Sequence, residues 1–90
     1  MNAKEVQLTL HMYPPGRGDI DVAREYREQE SSWDGYVIVF AGEVTGWSRA
    51  LDRPRSWRPG CIAVDVDGSR WEAVGGSDYA GARTWKPLQG

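Results

Sequence analysis

Cys61-Ile62-Ala63-Val64-Asp65-Val66-Asp67-Gly68-Ser69-Arg70-Trp71-Glu72-Ala73-Val74 consists of two apolar-polar runs that meet at Asp67-Gly68. Both residues of that dipeptide tolerate positive φ, so it suits a two-residue hairpin turn. Turning there sets Val66 opposite Ser69, Asp65 opposite Arg70, Val64 opposite Trp71 and Ile62 opposite Ala73. Period-two patterning then sends Ile62, Val64, Val66, Trp71 and Ala73 inward and Asp65, Arg70 and Glu72 toward water. A one-residue slip reverses those faces, which makes register the quantity to check.

Upstream, Tyr36-Val37-Ile38-Val39-Phe40-Ala41 carries β-branched and aromatic residues on both faces and reads as the central strand. Gly42-Glu43-Val44-Thr45-Gly46-Trp47 either opens a second hairpin or finishes an extended strand around a glycine-marked bend. Nearer the amino terminus, Glu5 to Met12 alternates, with Val6, Leu8, Leu10 and Met12 on one face and His11 on the other. The run Tyr13-Pro14-Pro15-Gly16-Arg17-Gly18-Asp19 stops that strand, because proline supplies no ladder donor and glycine favours a turn. Arg17-Gly18-Asp19 matches a short adhesion tripeptide, but a turn beside prolines explains it. Ile20 to Glu30 reads as a short helix capped by Asp19 or Asp21, with an Arg24–Glu28 pair and Ile20, Ala23 and Tyr26 on its apolar side; a polar strand is the rival. Downstream, Gly75 to Gly81 is a loop and Ala82 to Leu88 a short last strand.

These elements predict one α+β, mostly β domain over residues 1–90. Its core is a small curved antiparallel sheet of four or five strands with one short helix, a partly open β-barrel being the alternative. A chain of 90 residues buries little spare surface, which favours a surface site over an elaborate interior one. Five tryptophans and four tyrosines are too many for so small a core to enclose, so some rings should reach water.

The formal net charge of −2 argues against a wholly basic nucleic-acid binder but hides an uneven distribution. The first 48 residues are predominantly acidic, whereas Arg49, Arg53, Arg55 and Arg58 face one carboxylate, Asp52, within ten residues. The expected surface is bipolar. Trp47 and Trp57 flank this segment, and Pro54 and Pro59 keep it from being a regular central strand. Planar guanidiniums for carboxylates, rigid indoles for apolar contact and prolines that lower the entropy lost on binding make Trp47, Arg49, Arg53, Arg55, Trp57 and Arg58 the candidate partner-binding residues. The rival reading is a solvated face whose tryptophans merely close the sheet's ends.

Other chemistry is thinner. Asp65 and Asp67 have a spacing used for divalent cations, but oxygen-rich sites need more ligands, and a turn-forming pair is the better reading. His11 and Cys61 lack a third orienting group, and Cys61 begins an apolar strand as a small hydrophobe does. Gly75 to Gly81 offers amides for an anion without the lysine and strand-to-helix context of a phosphate loop. No cofactor and no metal is expected.

The predicted function is a small non-enzymatic protein-interaction module, a regulatory or inhibitory accessory protein that binds an acidic protein surface. The alternatives are a nucleic-acid-binding module using Arg–phosphate contacts and Trp stacking, and a small hydrolase or metal-dependent enzyme. A single cysteine fits a reducing compartment, and the longest apolar run is too short to span a membrane, so the expectation is a cytoplasmic protein. The preference for arginine over lysine fits a bacterial source by association alone.

Overall fold

The computed structural model describes residues 17–88; the strand expected over Glu5 to Met12, with His11, lies outside them. Helix α1 (Arg17–Glu30) is followed by β1 (Tyr36–Phe40), β2 (Glu43–Ser48), a single 3-10 turn (Pro54–Ser56), β3 (Ile62–Val64), β4 (Arg70–Val74) and β5 (Thr84–Leu88). The five strands form one antiparallel sheet in the order β2-β1-β3-β4-β5. Its end strands β2 and β5 do not pair with each other, so the sheet is open and the barrel alternative is set aside. The helix reading of 20–30 holds over its polar-strand rival, but the helix begins earlier, at Arg17, so Arg17-Gly18-Asp19 is its first turn rather than a loop turn, and Asp19 and Asp21 lie within the helix instead of capping it.

The sheet is covered on both faces. On one, Val37, Val39 and Val64 are buried against Ala23 of α1, with Tyr26, Val44, Trp47 and Ile62 around them. On the other, Ile38, Ala63 and Ala73 pack with Cys61 and Ala82, and Phe40, Leu51, Trp57, Trp71 and Trp85 complete the layer. Tyr36 meets Trp71 edge-on with ring centroids 5.5 Å apart. No helix covers this second face among the described residues; the connections before β3 and β5 do. Burial on both faces explains why β1 is apolar at every position.

Strands β1 and β2 form a tight hairpin, since Phe40 pairs with Glu43 across Ala41-Gly42. Both turn residues have positive φ, 53° and 83°, as the twist of a two-residue hairpin turn requires. The pairing then slips between Ile38 and Val39, where β2 carries one extra residue. That bulge changes the parity of β2 and places Val44 and Trp47, three residues apart, on the same helix-covered face.

The register expected for the β3–β4 hairpin is corrected by one residue. Ile62 pairs with Glu72, Ala63 with Trp71 and Val64 with Arg70. The turn is longer than two residues: the Asp65 N–H donates to Ser69 O at 3.0 Å and the Gly68 N–H to Asp65 O at 3.1 Å. The Asp65 carboxylate accepts the backbone N–H groups of Asp67 and Ser69, both at 2.9 Å, and these bonds select the wider loop. The expected inward set therefore divides: Ile62 and Val64 face α1, Trp71 and Ala73 face the loops, and Val66 is half exposed at the turn. Arg70, expected in water, is mostly covered beside Asp19, 3.9 Å away.

Arg27 closes the helix side. Only 3 % exposed, it donates through Nη1 to Ser32 O and Asp34 O and through Nη2 to Gly35 O and Val64 O, at 2.8 to 3.2 Å. One guanidinium thus ties the end of α1, the turn into β1 and the middle of the sheet together.

Candidate functional site

The Arg/Trp segment runs along the loop-covered face, and its backbone is held by local bonds. Around Pro54–Ser56, the Ser56 N–H reaches Arg53 O and the Trp57 N–H reaches Pro54 O, each at 3.0 Å. Trp57 drops its ring onto the sheet over Gly46, where an added Cβ would stand 2.6 Å from the indole. The Ala82 N–H donates to Trp57 O at 2.8 Å, which sews this loop to the connection before β5. Trp57, half-buried, anchors the loop, and the arginines around it are left in water.

The two tryptophans are separated by the sheet. Trp57 packs in the loop-side layer, whereas Trp47 packs on the helix side and donates its indole N–H to Asp34 O at 3.0 Å. Both are half-buried and part of the fold. Among the described residues the exposed aromatic rings are Trp33 and Tyr79.

The four arginines also divide. Arg53 and Arg55 line one hollow of about 300 Å³ together with Pro54, Asp52 and Arg83. Arg55 and Arg83 also line the adjoining hollow, whose floor is Gly76 and Ala80 to Ala82. Arg58 turns away, lying over the Phe40 ring at 4.4 Å and bridging Asp78 at 2.8 Å. Arg49 sits 6.0 Å from the Trp47 ring at the far side of β2. The sequence run therefore resolves into a pair, Arg53 and Arg55, joined by Arg83 from the β4–β5 connection. Arg83 carried no signal in the sequence beyond being an isolated cation after a glycine-rich loop.

The charge layout is bipolar in space. Exposed Glu25, Glu28 and Glu30 lie on α1, and exposed Arg53, Arg55 and Arg83 lie on the opposite, loop-covered face. The other candidates, Asp65 and Cys61, stand apart from this cluster. Asp65 is engaged by its own turn. Cys61 is a free thiol, 2 % exposed, and burial pushes its pKa up, while the Arg58 backbone and charge draw it partly back. Among the described residues no group of three or more His, Cys, Asp or Glu side chains is placed to hold a metal ion. No helix there is long and apolar enough to cross a membrane.

A scan against protein-family models and searches of curated proteins and of solved structures found no match to this chain.

Proposed function

We propose that the protein is a non-enzymatic interaction module, a regulatory or inhibitory accessory protein of the cytoplasm, which grips an acidic surface of a partner protein through its basic loop face. The observation that carries this reading is the meeting of Arg53, Arg55 and Arg83 around adjoining hollows. Among the described residues Asp52 is the one carboxylate lining them. Three exposed guanidiniums with so little local compensation favour carboxylates supplied from outside, and their forked donors give such contacts direction. Arg58, already bridged to Asp78, and Arg49, at the far side of β2, stand outside this cluster and contribute at most to the rate of encounter.

Trp57 serves the grip indirectly, by anchoring the loop from which Arg53 and Arg55 project, whereas Trp47 packs on the other side of the sheet. Their partial burial also speaks against the nucleic-acid alternative, which needs free ring faces for bases to stack on. Affinity capture with wild-type protein and with an Arg53→Glu/Arg55→Glu variant, each with and without nuclease, tests the proposal. We expect a protein partner that resists nuclease and is lost from the variant. A partner set unchanged by charge reversal, or one lost on nuclease treatment, refutes it.

A further inference from the structure

Tyr79 is the one large hydrophobic residue described whose side chain is wholly in water, at 100 % exposure. It adds nothing to either packed layer, so its place on the loop is unexplained by folding. Yet the loop that carries it is firmly made. Ser77 and Gly81 exchange both backbone hydrogen bonds, at 3.2 and 2.8 Å, and the Ala80 N–H donates to Ser77 Oγ at 3.0 Å. The Gly81 backbone presses against the Arg55 carbonyl so closely that a Cβ would stand 2.0 Å from the oxygen. On the flank, Arg58 holds Asp78. The loop that carries the ring is thus fixed, and the next residue along, Ala80, lines the hollow that Arg55 and Arg83 share, so the backbone part of the ordering cost of binding is already met. A tyrosine loses few rotamers on contact and offers both apolar area and a hydroxyl, which is why it recurs as an anchor in interfaces.

Resting on the interaction reading given above, we propose that Tyr79 is the apolar anchor of the basic face, and that the occupant is an acidic polypeptide segment bearing aliphatic side chains. Its aliphatic groups close over the Tyr79 ring while its carboxylates meet Arg53, Arg55 and Arg83. Charge selects the occupant: Arg58 already engages Asp78, leaving those three guanidiniums in excess over Asp52. A lone ring on a hairpin tip suits aliphatic packing better than a run of stacked bases, which calls for successive aromatic platforms along a groove.

The test titrates the full chain at low salt with two decapeptides of equal charge, one of glutamates around two central leucines and the other with serines in their place. Binding is followed by chemical shifts of the Tyr79 ring and the arginine side chains. The leucine peptide should bind wild type about fivefold more tightly than the serine peptide. Tyr79→Ala should erase that preference and Tyr79→Phe keep it, while Arg55→Glu/Arg83→Glu should weaken both peptides about tenfold or more. If charge reversal weakens both peptides but Tyr79→Ala leaves the leucine preference intact, or wild type shows none, the anchor assignment fails and the basic-face reading stands. If charge reversal changes neither peptide, or neither binds, both fall. An oligothymidylate of matched charge that binds more tightly, with the same dependence on Tyr79, overturns the choice of occupant. Tyr79→Ala removes no packed atom, so an unchanged amide spectrum elsewhere is the folding control.

Discussion

Replacing Arg27 by methionine keeps the aliphatic stem and removes the guanidinium, leaving four carbonyls without their charged donor. Hydrogen bonds to charged groups are worth about 1.5–3 kcal/mol each. Asp34 is exposed and its carbonyl regains water, half-buried Ser32 and Gly35 each recover part of theirs, and buried Val64 recovers none, which together amounts to about two lost contacts. Two unrecovered contacts set the loss at about 3–5 kcal/mol, the range seen when a buried ionic partner is removed. A domain of this size holds roughly 5–13 kcal/mol in total, so the variant should sit close to its unfolding threshold. In urea, with a slope of about 1–1.5 kcal/mol/M, the midpoint should fall by about 2–5 M. Arg27→Lys retains charge but cannot fork across two pairs of carbonyls, and should fall between methionine and wild type. Equilibrium urea unfolding followed by tryptophan emission is the assay, and Trp47, which shares Asp34 O with Arg27, reports loosening of that corner directly. A methionine variant within about 1 kcal/mol of wild type refutes the view that one guanidinium joins helix, turn and sheet.

Three further outcomes follow from named contacts. Asp65→Ala should cost about 1–2 kcal/mol because two turn N–H groups lose their acceptor, while Asp67→Ala at the same turn should stay within about 0.5 kcal/mol; equal losses in thermal unfolding would mean that the carboxylates act alike. Cys61 should react with iodoacetamide on the order of 10³-fold more slowly in the native protein than in urea, since alkylation waits on opening of the layer above it; native labelling within about tenfold of the unfolded rate contradicts its burial. Burial pushes the Asp19 carboxyl above its ordinary 3.8, with Arg70 drawing it partly back, so the folded state binds that proton more tightly than the unfolded one. Its contribution is therefore full below 3.8 and lost as pH rises through the raised folded value. In urea midpoints measured across that window, Asp19→Asn should gain on wild type as pH rises and then level off; a constant difference at every pH refutes the assignment.

Legibility of the sequence followed the strength of local physics. The helix over 20–30 was readable from its acidic start and i,i+4 pair, although it begins at Arg17. β1 is readable from its β-branched and aromatic content, and β5 falls within the short last strand expected over Ala82 to Leu88. The β3–β4 register differs by one residue from the expected one because period-two alternation fixes register only where one face is wet. With both faces covered, alternation no longer distinguishes Val64 opposite Trp71 from Val64 opposite Arg70, and the Asp65 carboxylate decides the loop instead. At the candidate site the cluster in sequence was plain and its division in space was not. A side chain chooses among distant partners, as Arg58 does with Phe40 and Asp78, and no spacing rule encodes that choice. Arg83 and Tyr79 come from a connection whose approach to residues 55–58 is set by tertiary packing alone.

The loop that bears Arg53 and Arg55 is also the roof over Cys61 and Ala73, whose strands are stitched by the Gly60 N–H to Ala73 O and Ala73 N–H to Cys61 O bonds. Any partner that clamps this roof shut therefore lowers the population of forms in which the strands beneath come apart. Deuterium uptake at residues 61–64 and 70–74 should slow upon complex formation even though the ligand never touches them, and a protease should find fewer cuts there.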